Sequence, residues 1–161
     1  MSIKSIILII SVIMISSIQC QTSLSNCTFI ADGYQYDFSS FGSYNPNGYF
    51  WNFGYDQGQI NVCQTAYGCV SYDGSTGMAG CKYFEQLGQV QSGEFSSMSP
   101  AGTGAYLTYF DNSYMNYIIR IKLLCVPNKT IPSIISSGIS PTNSRQYEFT
   151  ISGKGACGYQ M

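Results

Sequence analysis

The sequence predicts an all-β domain held together by disulfide bonds, and three observations support this. Tyr, Phe, Thr and Ile occur in short alternating runs, separated by Gly, Asn, Asp and Ser, which favour tight turns. After the first twenty residues, no run of ten or more keeps its apolar residues at helical spacing without a Gly or Pro interrupting it. An even number of cysteines remains beyond the same point.

The first twenty residues, MSIKSIILIISVIMISSIQC, have the pattern of a secretory signal peptide. Lys4 is followed by an apolar run too short to span a bilayer, and then by small and polar residues where a peptidase would cut. We expect cleavage after Cys20 and one mature domain, residues 21–161; a retained N-terminal anchor is the alternative. No later run approaches the ~18 apolar residues of a membrane span, which favours a secreted protein or, alternatively, one in the lumen of the endomembrane or lysosomal pathway.

The charge balance argues against a nucleic-acid partner. Without Lys4, six of the seven basic side chains remain against eight acidic ones, a net charge of −2. Such a surface offers no attraction to phosphate backbones or anionic membranes. We therefore expect neither partner.

Cysteine usage points to structural disulfide bonds. The mature cysteines are Cys27, Cys63, Cys69, Cys81, Cys125 and Cys157. Several pairings are possible, and the spacing alone does not choose among them. Zinc is the alternative, but the chain has no histidine and no C-x-x-C motif, so we expect no metal and no cofactor. Two sequons, at Asn26 and Asn128, predict N-glycosylation.

The alternating runs predict an order of strands. They lie at residues 28–41, 49–63, 82–100, 104–110, 114–125 and 146–152, the third being the weakest. Gly33 predicts a turn within the first run, and Asp73-Gly74 predicts the hinge of a hairpin over residues 70–81. Residues 131–144, which contain Pro132 and Pro141, predict a loop.

The chain lacks the usual catalytic groups. It has no histidine to act as a base, its mature cysteines are expected to be bridged, and no serine lies in a G-x-S-x-G turn. A glycosidase-like pair of carboxylates would have to come from Asp32, Asp37, Asp56, Asp73, Asp111, Glu85, Glu94 and Glu148. Their spacing singles out no pair, so we expect a protein that is not an enzyme.

The order of several motifs resembles the mannose 6-phosphate receptor homology (MRH) domain family. These motifs run from Cys27 to Cys157: GYQYDFSSF, YFWNF with INVC, a GC…C pair, LG, YLTYF, YIIRIKLLC and YEFTISGKGAC. The resemblance implies a lectin-like domain folded as a flattened β-barrel or sandwich of antiparallel strands. A generic disulfide-bonded β-sandwich is the alternative.

The resemblance also implies how the cysteines pair. The family pattern gives Cys27–Cys63, Cys69–Cys81 and Cys125–Cys157. It usually includes a fourth bridge, but here the segment 111–116 has no cysteine and Arg145 stands at the partner position. Both cysteines of the fourth bridge are therefore missing. Loss of a disulfide requires the loss of both partners, because a single remaining thiol would be reactive.

Sugar-binding members of the family contact mannose through a Gln, an Arg, a Glu and a Tyr. In this sequence Lys82 stands at the Gln position and Tyr117 or Ile118 at the Arg position. The loop 127–144, where the Glu is expected, contains no acidic residue, and Tyr147 matches the Tyr. Three of the four contacts therefore differ.

Other residues offer substitutes for the missing contacts. Arg120 lies on the same predicted strand as the expected Arg, and a shift of register would present it; the alternative is a basic residue on a strand edge that discourages edge pairing. Aromatic rings that would stack on sugars are Tyr34, Tyr36, Tyr44, Tyr49, Tyr55 and Trp51. Their alternative role is to pack against one another.

These observations predict a non-catalytic binding domain with reduced or lost mannose 6-phosphate binding, which serves as a protein-interaction module. The alternative is a lectin of altered specificity that recognises glycans on glycoprotein cargo. The candidate ligand-binding residues are Tyr147, Lys82 and Arg120. The expected partner is a protein or glycoprotein, with a glycan as a further candidate ligand.

Overall fold

The computed structural model describes residues 24, 27–69, 77–83 and 85–161. Twelve strands lie within these residues: β1 (Thr28–Ala31), β2 (Tyr34–Asp37), β3 (Tyr49–Phe53), β4 (Asp56–Ile60), β5 (Met78–Lys82), β6 (Glu85–Gln89), β7 (Glu94–Ser97), β8 (Gly104–Phe110), β9 (Ile118–Cys125), β10 (Ser133–Ser140), β11 (Asn143–Gly153) and β12 (Tyr159–Gln160). One α-helix, α1 (Ser39–Tyr44), precedes β3, and 3₁₀ turns lie at Val90–Ser92 and Lys154–Ala156.

These strands form three sheets. A five-stranded sheet has the order β10-β11-β9-β8-β7, a four-stranded sheet the order β3-β4-β5-β6, and a small sheet the order β1-β2-β12. Strand β3 contacts β10, and β6 contacts β8 and β9, so the two larger sheets pack on each other as a sandwich. The all-β prediction is confirmed in its sandwich form, since the described strands do not close into a barrel.

Two expectations about the strands are wrong. Strand β11 pairs with β9 in parallel, from Gln146 opposite Ile118 to Gly153 opposite Cys125, whereas antiparallel pairing was expected throughout. The stretch 131–144, expected to be a loop, contains strand β10. Its serines and glycine carry little strand propensity, but β10 is an edge strand whose backbone pairs with the long β11, and backbone hydrogen bonds do not depend on side-chain type.

Alternation along the central strands builds the core. In β8, β9 and β11 every second side chain is buried, as the sequence pattern predicts. Trp51 packs between the rings of Tyr147 and Phe149, with centroids 5.6 and 5.5 Å away.

One glycine in β4 is required by the close approach of a neighbouring strand. Gly58, in β4, pairs with Trp51 of β3, and a Cβ atom on Gly58 would lie 1.9 Å from the carbonyl oxygen of Cys81 in β5. This close approach of β4 to β5 requires a glycine.

Three disulfide bonds close the fold: Cys27–Cys63, Cys69–Cys81 and Cys125–Cys157. Their Cα–Cα distances of 5.6, 5.5 and 4.5 Å lie in the range for native bridges. These are the pairs that the family resemblance implies. Because Gln146 lies opposite Ile118, Arg145 lies beside Tyr117, directly after the segment 111–116.

Some sequence predictions fall outside the described residues. The signal peptide, the Asn26 sequon and the Asp73-Gly74 hinge lie there. Asn128 is exposed, in the turn after β9. Across residues 24, 27–69, 77–83 and 85–161, no helix is both long enough and apolar enough to cross a membrane.

Candidate functional site

The family resemblance directs attention to Lys82 and Tyr147, and the fold brings them together at one rim of the sandwich. Lys82 ends β5, and Tyr147 lies in β11. Asp56 begins β4, Glu85 begins β6 opposite Lys82, and Tyr117 immediately precedes β9. We call these five side chains the Lys82 cluster.

The ammonium group of Lys82 is held by two carboxylates. Its Nζ lies 3.3 Å from Glu85 Oε2 and 3.8 Å from Asp56 Oδ1. The same atom lies 6.0 Å from the ring centroids of Tyr117 and Tyr147. The Tyr147 hydroxyl donates to Asp56 Oδ2, and the Tyr117 hydroxyl donates to Glu85 Oε2, each over 3.4 Å. Every charged group in the cluster therefore has a partner from this chain.

Protonation follows from this geometry. Burial alone would lower the pKa of Lys82, but hydrogen bonding and charge from Tyr147 and Glu85 outweigh it and raise that pKa. Burial is the main cause that raises the pKa of Tyr117 and of Tyr147; the Glu85 charge adds to it at Tyr117, while Lys82 opposes it at Tyr147. At neutral pH the lysine is charged and both tyrosines are neutral. With two carboxylates present, the five side chains sum to a charge of −1, and the positive charge of Arg145 lies close enough to act on Tyr117.

Arg120 lies elsewhere. Its guanidinium stacks on the Tyr106 ring, 4.2 Å from the centroid, beside Lys122 and Glu148 on the outer face of the five-stranded sheet. Tyr147 points to the buried face of the same sheet, so Arg120 does not join the Lys82 cluster. The alternative interpretation as an edge residue is also wrong, because β9 is central, between β11 and β8.

The aromatic residues named from the sequence separate into two groups. Tyr36, Tyr49 and Trp51 are buried in the core, Tyr44 and Tyr55 are exposed, and Tyr34 is partly buried against the core. Sequence reasoning missed Asp56 and Glu85 as partners of Lys82. The Glu85 position carried a signal, since it lies three residues after Lys82 in the sequence, but the contact between Lys82 and Asp56 depends on the register between β4 and β5.

The described residues contain no group of three or more His, Cys, Asp or Glu side chains that could hold a metal ion. The Lys82 cluster offers hydrogen-bonding and ionic contacts. A ligand that binds Lys82 would compete with the contacts that Lys82 makes to Glu85 and Asp56.

The fold is shared with solved structures, among them two receptor domains. Domain 11 of the echidna mannose 6-phosphate/IGF2R receptor superposes with a TM-score of 0.56 at 21% identity, covering 84% of this chain and 97% of that domain. Domain 11 of chicken IGF2R gives a TM-score of 0.57 at 16% identity, covering 86% and 93%. The chain therefore has an MRH-like fold, as the sequence resemblance predicted. No protein-family model and no curated protein matches the sequence.

Proposed function

We propose that this protein is a secreted, non-catalytic binding domain that has reduced or lost mannose 6-phosphate recognition and acts through a protein partner. The observation that carries the proposal concerns Lys82, which stands where the resemblance places a sugar contact. Its positive charge is paired with carboxylates of this chain. Its charge is already matched by Glu85 at 3.3 Å and Asp56 at 3.8 Å. A phosphate group approaching Lys82 would meet two carboxylates that already pair with it.

The missing contacts support the same conclusion. Vicinal hydroxyls of mannose are best recognised by a forked donor and a carboxylate acceptor fixed on rigid strands. Arg120 faces away from the cluster, and the segment 127–144, which contains β10, supplies no acidic side chain. A sugar at this rim would displace the contacts of Lys82 without gaining that pair.

The non-catalytic part of the proposal rests on chemistry. The sequence has no histidine, and the six mature cysteines are all in disulfide bonds. Asp56 and Glu85 both contact the ammonium group of Lys82.

Secretion is supported by the disulfide bonds and the N-terminal pattern. Bridges of this kind persist in oxidising compartments. Residues 1–20 act as the signal peptide in this proposal, and residues 21–161 form the mature domain. The lumen of the endomembrane or lysosomal pathway is the alternative location.

The second candidate function is a lectin of altered specificity for glycans on glycoprotein cargo. It is favoured by a groove lined with aromatic and amide side chains on the four-stranded sheet.

Calorimetry with the disulfide-intact mature protein tests the loss of mannose 6-phosphate binding. We expect no binding tighter than about 1 mM, because each lost charge-assisted hydrogen bond removes roughly 1.5–3 kcal/mol. Asp56→Asn with Glu85→Gln frees Lys82 and should give measurable affinity for the phosphate. Micromolar binding by the unmodified protein would overturn the proposal.

Crosslinking the secreted protein to its partner, before and after enzymatic removal of N-glycans from the partner fraction, separates the two functions. Capture that survives glycan removal supports the protein-interaction module. Capture that is lost favours the lectin.

A further inference from the structure

The outer face of the five-stranded sheet carries a line of cations. Arg120 and Lys122 alternate with buried residues in β9, so both side chains project from that face. Lys129 continues the line, because its Nζ donates to Ser133 Oγ at 2.6 Å and to Ser152 Oγ at 2.7 Å. Ser152 pairs with the residue two positions after Lys122, so the Lys129 ammonium group lies one step further along the same face. We call the surface around these three cations the cationic face.

The cations of this face have no carboxylate partner from the described part of the chain. Across residues 24, 27–69, 77–83 and 85–161, the ion pairs all belong to Lys82. The Arg120 guanidinium is held by stacking on the Tyr106 ring, 4.2 Å from the centroid, and its N–H groups donate to none of these residues. Tyr106 lies opposite Lys122, so the stacking places the guanidinium toward Lys122. A guanidinium fixed in this way, with free N–H groups, suits a carboxylate.

Two acidic residues share the outer face, and both lie at its Arg120 end. Glu148 pairs with Arg120 across β11 and β9, and Glu94 of β7 lies in the same row. Gln146 Nε2 donates to Glu148 Oε1 at 2.7 Å, and Gln146 lies on the side of Glu148 away from Lys122. This hydrogen bond therefore directs the carboxylate away from Lys122. Beyond that row, the described strands place no acidic residue on this face, so its cations attract anions.

We propose that the cationic face binds an extended acidic segment of the protein partner, with successive carboxylates on Arg120, Lys122 and Lys129. Residues at alternate positions of an extended chain lie about 6.6 Å apart, which is also the spacing of Arg120 and Lys122 along β9. Carboxylates at alternate positions of the partner therefore match the line of cations, whereas one compact anion would leave part of the line unpaired.

The partner is a different protein. No two acidic residues of this sequence lie within four positions of each other, so a second copy of the chain supplies no such segment. The inference rests on the proposed protein-interaction role and specifies the chemistry of the partner. It uses a surface separate from the Lys82 cluster, because Arg120 and Tyr147 point to opposite faces of the five-stranded sheet.

Titration of the full mature protein with synthetic peptides, followed by nuclear magnetic resonance, tests this surface. The probe is an acetylated and amidated pentapeptide with aspartates at alternate positions and threonines between them. The control peptide has asparagines in place of the aspartates. We expect the aspartate peptide to shift the backbone amide signals of β9 and β11 saturably, with a Kd of about 1 mM or tighter at about 20 mM salt. Binding should weaken at least about threefold at about 150 mM salt, because exposed ion pairs are screened.

Charge-matched variants assign the binding to the cationic face. Arg120→Gln combined with Lys122→Gln should weaken binding about tenfold, since each exposed ion pair accounts for a factor of up to about five. Arg145→Gln combined with Lys154→Gln removes the same charge from outside this face and should leave the affinity within about twofold. Glu148→Gln removes an acidic side chain from the face and should strengthen binding about twofold or more. An opposite effect of this kind does not arise from a loss of folding.

Several results would overturn the proposal. These are the absence of a saturable shift up to about 10 mM aspartate peptide, equal binding of the asparagine peptide, and equal affinities of the two double variants. Inorganic sulfate that binds more tightly than the peptide, and loses its affinity in the Arg120 and Lys122 double variant, would overturn it in favour of a site for one compact anion. Failure of the proposed function is distinguishable, because mannose 6-phosphate binding in the calorimetric experiment would involve Lys82 and would leave these titrations unchanged.

Discussion

Replacing Tyr109 with Phe should destabilise the fold through one buried hydrogen bond. Tyr109 lies in β8 and is fully buried, and its hydroxyl oxygen accepts a 2.6 Å hydrogen bond from the Cys63 N–H. That bond connects the five-stranded sheet to the loop closed by Cys27–Cys63. Without the hydroxyl, the Cys63 N–H loses its acceptor, and leaving such a donor unpaired costs about 1–3 kcal/mol. We expect a loss of about 2 kcal/mol in the free energy of unfolding at pH 7.

The same hydroxyl makes the loss depend on pH. Burial raises the pKa of Tyr109 above its ordinary value, despite the opposing hydrogen bond from Cys63. A raised pKa in the folded state means that the stabilisation is complete below the unfolded pKa of about 10 and is lost as pH rises above it. The difference between the native protein and Tyr109→Phe should therefore shrink above pH 10, by about 1.4 kcal/mol per pH unit.

Urea unfolding at pH 7 and at about pH 11, with short incubation to protect the disulfide bonds, measures both effects. Tyr106→Phe is the matched control, since Tyr106 lies in the same strand on the opposite face. Its effect should stay within about 0.5 kcal/mol at both pH values. A Tyr109→Phe effect below about 0.5 kcal/mol at pH 7, or one that is constant between the two pH values, would refute the reasoning.

Three further outcomes are expected. Tyr49→Phe removes the 2.8 Å hydrogen bond that the Tyr49 hydroxyl donates to the Phe41 carbonyl oxygen, and this should lower the stability of the fold. Burial raises the pKa of Tyr49 to about 12, so the stability difference between the native protein and the variant should be complete below pH 10 and should disappear toward pH 12. Midpoints of urea unfolding at several pH values measure this difference. Replacing Cys125 and Cys157 by Ser should cost roughly 1 kcal/mol more, by urea unfolding, than replacing Cys69 and Cys81, since the loops span 32 and 12 residues. Mass spectrometry of the secreted protein should show a glycan that Asn128→Gln removes, because that sequon is exposed.

Each of these outcomes has a contrary result. A Tyr49→Phe effect that grows above pH 10 would mean that the phenol is not held neutral in the fold. Equal losses from the two disulfide pairs would show that loop length does not control their contributions. An unglycosylated native protein would show that Asn128 is not modified.

The predictable part of the fold is the part in which burial alternates along the chain. In β8, β9 and β11 the apolar residues mark the buried face, so the strands could be found without a structure. Strand β10 could not be found in this way, because it is rich in serine and contains a glycine. It is an edge strand that is held in place by its pairing with β11. Parallel pairing of β9 with β11 was equally hidden, since side-chain patterns do not reveal strand direction.

The candidate site was only partly predictable for a related reason. Lys82 and Tyr147 were named from the resemblance, and the fold brings them together. Asp56 escaped notice because its contact with Lys82 depends on the register between β4 and β5. The hypothesis that Arg120 contacts a ligand together with Tyr147 required a shift of register in β9. Strict alternation in β9 instead keeps the Arg120 side chain on the outer face of the sheet.

The order β10-β11-β9 has a consequence for synthesis. The chain passes from β9 to β10 before it makes β11, yet β11 occupies the position between them. Until residues 143–153 have left the ribosome, β9 and β10 each present an unpaired edge where β11 will insert, and unpaired edges recruit other strands. Pairing between neighbouring unfinished chains is therefore most favoured during that interval.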